Sequence, residues 1–228
     1  QPISLLDELG ALMAGLVSPN ATVVNYAIGA LEALTKVLPE SRADMVNKGI
    51  VAAILPLLAH GTSSIKSKVI GTFLSLASHE KALSHLVESG CVVPILHVLA
   101  SSDTELQVGS LQFLTKVLMD ATTQDLVAQS LSQDVGLLIP LLSAAATRTA
   151  ALDVLVIISS NPAVAGELGK ETGMLALLSL LGSGEPDFEV KVLNTLQNLV
   201  IQNDVNANTA LTVGAITFLS QSINMTEL

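Results

Sequence analysis

The residues able to do chemistry in this chain are few and far apart. Its four histidines, His60, His79, His85 and His97, are the natural candidates for a general base or a metal ligand. His79 and His85 are six apart, a spacing that does not share a helical face. His60 and His79 fall where helices are expected to end, and a partial positive charge there suits the dipole. No His-Glu-x-x-His, Gly-x-Ser-x-Gly or phosphate-binding Gly-Lys-Ser/Thr pattern occurs. "LGSGEP" at 181–186 is glycine-rich but lacks the Lys and Ser/Thr that would hold phosphates, so it reads as an inter-helix loop. Asp187 and Glu189 are two apart and do not face each other on a helix. The single cysteine, Cys91, excludes an internal disulfide and a Cys-x-x-Cys site. It reads as a buried structural thiol in a reducing compartment. Asn20 and Asn224 open triplets that match a glycosylation acceptor, a pattern that also arises often by chance. The sequence thus offers no catalytic constellation, no cofactor motif and no metal cluster, and the expectation is that the chain is not an enzyme.

Half of the 228 residues are apolar, and charged residues are 13%, about half of the usual ~25%. Such a composition supports a large core and is far from that of a disordered chain. Ten basic residues stand against twenty acidic ones, and aromatics are only 2%. Neither a basic footprint nor a stacking surface for nucleic acid is present. The greasiest stretch, "GIVAAILPLLAHG" at 49–61, is too short for a membrane span of about 20 residues. No basic segment precedes an apolar one at the start, and the chain does not begin with Met. It reads as a fragment of a longer protein, with a cytoplasmic or nuclear location expected. Charge is uneven: Lys36 to Lys81 holds six basic and three acidic residues, while Asp103 to the end holds four and thirteen. That asymmetry is either a solvated acidic surface or an attraction for a basic partner.

What must position any functional residue is a repeat. The phrase at Gly49 returns as "GCVVPILHVLASS" at Gly90, "GLLIPLLSAAA" at Gly136, "GMLALLSLLGSG" at Gly173 and "GAITFLSQSI" at Gly214. Each is expected to be followed by a second, longer apolar helix pattern. Superimposing those patterns aligns Ala33, Ser75, Lys116, Ile157 and Asn198 at separations of 42, 41, 41 and 41. Internal periods of this length mark stacked repeats. Each unit reads as short helix, Gly turn, middle helix, tight turn, long helix. Glycine suits the turn because a left-handed residue there carries no Cβ penalty. Pro94 and Pro140 fall four residues after their glycines, near a first turn. Pro56 lies seven after Gly49, so that helix either starts late or kinks. The middle helices are uncharged because neighbouring units surround them.

"ESGCVVPILHVL", "TVGAITFL", "LQVGSLQFL" and "TLQNLV" resemble the armadillo repeat family, and the resemblance runs from about Gly10 to Ile223. It implies an all-α fold, a right-handed α-solenoid of armadillo-type three-helix repeats. Residues 1–228 are then expected to form a single domain of about five repeats. The family serves many functions, so the fold does not name one. In its peptide-binding members asparagines line the groove and tryptophans lie one turn earlier. Here the asparagine positions are Ala33, Ser75, Lys116, Ile157 and Asn198, and the positions four earlier are Gly29, Gly71, Gln112, Asp153 and Asn194. Only Asn198 conforms and no Trp occurs, which argues against a nuclear-signal receptor.

The implied role is a non-catalytic protein–protein interaction scaffold or adaptor that presents a concave groove to a partner with a basic surface or an extended or helical peptide. The alternative is a regulator of a chaperone ATPase or a small GTPase. A metabolite sensor would need a groove cluster of Arg or Lys that is not present. Gln112, Lys116, Asp153, Asn194 and Asn198 are the expected partner-binding residues, on helices about 10 Å apart that would make a polar strip about 20–30 Å long. Asn198 is expected to bridge a guest backbone through its amide N–H and its carbonyl. At the ends, Leu5, Leu9, Leu12 and Leu16, and Ile216, Phe218 and Leu219, are expected to be partly uncovered. End-to-end self-association, or capping by further residues, would follow.

Overall fold

The computed structural model describes residues 5–201 and 203–225, and among these only helices, turns and bends occur. The chain divides into two compact units, Gln1–Val117 and Leu118–Leu228. No single helix among the described residues is long and apolar enough to cross a membrane.

The first unit runs through α1 (Leu5–Leu16), α2 (Ala21–Val37), a 3-10 turn (Pro39–Ser41), α3 (Arg42–Asn47), α4 (Ile50–Ile54), α5 (Leu57–His60), α6 (Ser63–Leu76), α7 (Glu80–Glu88), α8 (Val92–Val98) and α9 (Thr104–Leu118). The second holds α10 (Gln124–Leu131), a 3-10 segment (Val135–Ser143), α11 (Arg148–Ile158), α12 (Pro162–Leu168), α13 (Glu171–Leu178), α14 (Pro186–Val200), α15 (Asp204–Thr212) and α16 (Ala215–Met225). The long helices α2, α6, α9, α11 and α14 carry the five superimposed sequence patterns.

Polar side chains fix where these helices begin. The Asn20 carboxamide accepts from the Thr22 N–H at 2.9 Å, so the first glycosylation-like triplet is the N-cap of α2. Asn224 falls in α16, where its side chain is outside the described residues. Thr62, Asp103, Asn161 and Asn203 accept in the same way at the starts of α6, α9, α12 and α15. Each such cap satisfies backbone donors that a helix leaves orphaned, and is worth roughly 1 kcal/mol. The turn glycines expected before the middle helices have φ +82° at Gly49, +78° at Gly90 and +86° at Gly214, a region that only glycine enters freely.

Two of the repeat phrases depart from the pattern. Gly173 lies inside α13 and Gly136 inside the 3-10 segment, and neither has a positive φ. At Gly173 the need is space: a methyl there would meet the Leu168 carbonyl oxygen at 2.1 Å. Pro140 sits well inside the 3-10 segment, not near its first turn. Pro56 separates α4 from α5, so the middle helix is broken at the missing N–H.

The core is aliphatic. Ile50, Val51, Ile54 and Leu58 of "GIVAAILPLLAHG" are all buried, each worth about 1.5–3 kcal/mol relative to exposure. Phe73 and Phe113 join α6 to α9 with ring centroids 5.9 Å apart. Cys91 is fully buried and burial pushes its thiol up to about 12. At neutral pH it carries no thiolate, in keeping with a structural thiol. Buried Thr35, Thr72 and Thr195 return their hydroxyls to carbonyls of their own helices.

Two buried polar side chains are opposites. Asn206 donates from Nδ2 to the Ala165 carbonyl at 2.9 Å and the Leu199 carbonyl at 2.8 Å, tying α15 to α12 and the end of α14. Ser110 Oγ is buried with no partner. Asn206→Ala removes both bonds and leaves a void, and should cost about 2–4 kcal/mol. Ser110→Ala removes an unsatisfied hydroxyl and should leave stability unchanged or raised by up to about 1 kcal/mol. Urea unfolding of the two variants checks both signs.

Candidate functional site

In the first unit the long helices approach closely because glycines stand between them. A methyl at Gly71 would meet Glu32 Oε1 at 2.2 Å, and one at Gly109 would meet Ile70 Cγ2 at 3.3 Å. A groove of about 520 Å³ runs across α2, α6 and α9, lined by Glu32, Ser67, Gly71, Leu74, Glu105 and Gln112 among others. A smaller cleft of about 270 Å³ shares Ser67 and Glu105 and adds Asp103. Glu32 pairs with Lys36 at 2.7 Å, and Lys68 is held by the Asn25 carboxamide at 2.6 Å. Asp103 is spent on capping α9. The carboxylate of Glu105 has no partner among the described residues. The groove therefore holds the Glu32 carboxylate over Gly71, paired with Lys36, and the unpaired Glu105 carboxylate.

Gln112 stands at this groove, exposed, and Lys116 is exposed one turn further along α9. The other three expected residues belong to the second unit. Asp153 Oδ1 accepts from Lys191 Nζ at 2.5 Å, joining α11 to α14. Asn198 is half-buried and donates from Nδ2 to Ser159 Oγ at 3.0 Å. One of its amide protons is thus engaged inside the unit, leaving Oδ1 and the second N–H. Asn194 is exposed on the adjacent turn. Glu32 and Glu105 were missed by the sequence reading, which followed only one ladder of positions. Glu32 is the residue before Ala33 on that ladder, so a scan of its neighbours for charge would have found it.

The remaining polar groups serve the fold. The Arg148 guanidinium lies 5.1 Å from the Phe188 ring centroid and pairs with Glu185, an arrangement that favours a planar cation. Glu189 accepts from the Gly184 N–H at 2.9 Å and from Ser183 Oγ–H at 3.2 Å, closing the 181–186 loop onto α14. His85 faces Glu88 at 3.7 Å. Among the described residues no group of three His, Cys, Asp or Glu side chains is placed to hold a metal ion. A wider groove of about 850 Å³ lies between α5 and α8, with Lys66 and His97 along walls of Ala52, Pro56, Ala59 and Pro94.

Because Asn198 bonds to Ser159 and Asn194 does not share in such a bond, their alanine variants should separate. Asn194→Ala should stay within about 0.5 kcal/mol of the parent, whereas Asn198→Ala should lose roughly 1 kcal/mol with its hydrogen bond. Thermal denaturation of each single variant reads the difference.

No family model matches the sequence, and no curated protein sequence matches it. The fold does match solved structures. A designed armadillo repeat protein in complex with the peptide (KR)4 superimposes with a TM-score of 0.72 at 17% identity, over 94% of this chain and 91% of that one. A computationally designed armadillo repeat protein for modular peptide recognition gives 0.73 at 14% identity, over 93% and 91%. An engineered protein gives 0.73 at 21% identity, over 93% of this chain and 53% of its own. At these identities the likeness is one of fold, and it agrees with the repeat period, the three-helix grammar and the turn glycines: the chain has the armadillo repeat fold.

Proposed function

We propose that this chain is a non-catalytic repeat scaffold that binds an extended basic segment of a partner protein along the long-helix face of its first unit. The observation that carries this reading is the groove over Gly71 and Gly109, with Glu32 and Glu105 on its rims. The absence of a side chain at Gly71 lets the Glu32 carboxylate lie against α6 within the groove. Carboxylates to either side favour Lys or Arg on successive guest residues. Gln112 supplies an amide that can both donate and accept to a peptide group. Lys116, one turn on, sets the limit of the acidic stretch and would disfavour a guest cation beside it. In the second unit, Asn194 and the free carbonyl of Asn198 offer backbone bonds, with Asp153 already neutralised by Lys191. The designed relatives in fold include one bound to (KR)4, and the same peptide chemistry suits the acidic rims here. A single domain of about five repeats and a cytoplasmic or nuclear setting are consistent with this role.

The peptide (KR)4 is a direct probe. Titrated at low salt, it should bind, and Glu32→Gln with Glu105→Gln should weaken it by about 1–2 kcal/mol, roughly 5- to 30-fold in Kd. Gly71→Ala displaces the Glu32 carboxylate while improving helix propensity by up to about 1 kcal/mol, so affinity should fall while the melting temperature holds or rises. An acidic (DE)4 peptide that binds as well, or a double variant with unchanged affinity, overturns the assignment.

A further inference from the structure

Apolar surface lies open at more than one place. Of the residues expected to be uncovered at the ends, Leu9 and Leu16 are buried, Leu12 and Phe218 are half-buried, and Ile216 and Leu219 are exposed. The side chain of Leu5 lies outside the described residues. The surface away from either end is the groove of about 850 Å³ along α4, α5 and α8. Leu58 and Val98, both buried, form its floor. One wall is Ala52, Pro56 and Ala59, and the other is Pro94, His97 and Ser101. On each wall the residues recur three or four apart, the period of a helix surface. No carboxylate lines the groove among the described residues, although the chain holds twenty acidic residues and ten basic ones.

The repeat register shows what is unusual about the cation at this groove. Lys66 is equivalent to Gln107, Arg148 and Glu189, each 41 residues after the last. All three of those side chains are spent on inter-helix connections. Gln107 Nε2 donates to the Leu99 carbonyl at 3.2 Å and the Ser101 carbonyl at 2.7 Å, closing the turn before α9. Arg148 pairs with Glu185 at the start of α14. Glu189 accepts from the Gly184 N–H and the Ser183 hydroxyl in the loop before its own helix. Lys66 stands half-buried at the groove, and its ammonium has no partner among the described residues. A position that serves cohesion in three repeats is left with an unmatched charge in this one.

We propose that this groove receives an acidic amphipathic helix of a partner protein, with an Asp or Glu at the edge of its apolar stripe paired to Lys66. The walls are mostly apolar side chains on helices whose backbone groups are largely bonded internally. An extended guest would find few partners there for its peptide groups, whereas a helix satisfies its own. Apolar guest residues at i, i+3 or i+4, and i+7 match the spacing of both walls. Charge complementarity sets the sign: a guest carboxylate meets an unmatched ammonium with no competing acid in the lining, and a basic helix would set like charge against Lys66. This groove and the one over Gly71 share no lining residue. One unit can then hold a basic segment on its long helices and an acidic helix on its middle helices.

The probes are the end-capped peptide (ELAALEA)3 and its basic counterpart (KLAALKA)3, each titrated by fluorescence anisotropy up to about 1 mM chain. The acidic peptide should bind at least about tenfold more tightly than the basic one. Lys66→Met keeps the apolar stem and removes the charge, and should weaken the acidic peptide by about 3- to 10-fold. Ala59→Trp and Ala52→Trp each fill one wall and should abolish binding. Both alanines are exposed, so melting should hold in each variant. The (KR)4 affinity should be unchanged in all three variants, which separates this groove from the peptide groove over Gly71. No binding of the acidic peptide, equal binding of the basic one, or unchanged affinity in Lys66→Met or in the two tryptophan variants each overturns the proposal.

Discussion

A three-helix unit of about 41 residues cannot bury its own apolar surface, and this constraint orders everything else in the molecule. The middle segments are uncharged or nearly so along "GIVAAILPLLAHG" and its later echoes, so they fold only when neighbours cover them. Cover demands that successive units repeat with little change in length, which is why long-helix positions recur at 41 or 42 residues. It also demands short, sharply directed connections. The Asn, Asp and Thr caps and the left-handed glycines at 49, 90 and 214 supply them.

Once the middle helices are spent on cohesion, the exposed faces of the long helices are the part of the fold free to vary chemically. In the first unit that freedom appears as small residues flanked by carboxylates. In the second it appears as ion pairs and amide bonds between α11 and α14, Asp153 with Lys191 and Asn198 with Ser159. Both units hold a lysine to the preceding long helix, Lys68 to Asn25 and Lys191 to Asp153. The first unit leaves a groove carboxylate, Glu105, without a partner among the described residues, and the second ties Asn198 to Ser159 as well. A polar residue on a repeat ridge has two competing partners, the neighbouring helix and a guest, and an engaged residue loses part of what it can offer the guest.

The architecture was legible because it rests on periodicity, and periodicity survives change in individual residues. The helical class, the repeat grammar and the burial of Cys91 could all be read from spacing and composition. Single positions were less legible where two physical roles use one residue type. Gly173 looks like the turn glycine of its phrase, yet it is needed for room beside the Leu168 carbonyl. Pro56 was compatible with a late start or a kink, and only backbone geometry decides for a break between α4 and α5. Asn198 fitted the expected ladder by type, but its half-buried position gives Ser159 first claim on one N–H. Leu9 and Leu16 looked stranded at an end, yet α1 packs them inward. The acidic rims escaped notice because Glu32 and Glu105 belong to different helices and to different ladder positions, and only packing brings them to one groove.

Cohesion and recognition compete for the same kind of surface in a stacked repeat. A residue that binds the next helix inside the chain would bind a similar helix from another chain equally well, since the geometry is repeated. Charge at an internal contact position gives that contact a specific partner. Lys68 and Lys191 show the device: each is a cation at a position that faces the preceding long helix, and each has a specific acceptor there. Tyr26 lacks that charge, and so do Val23 and Val190 on the exposed faces. The acidic excess of the second unit adds a repulsion between copies that is long-ranged, weak and screened by salt. A partner basic enough to neutralise those carboxylates would therefore lower that repulsion while binding.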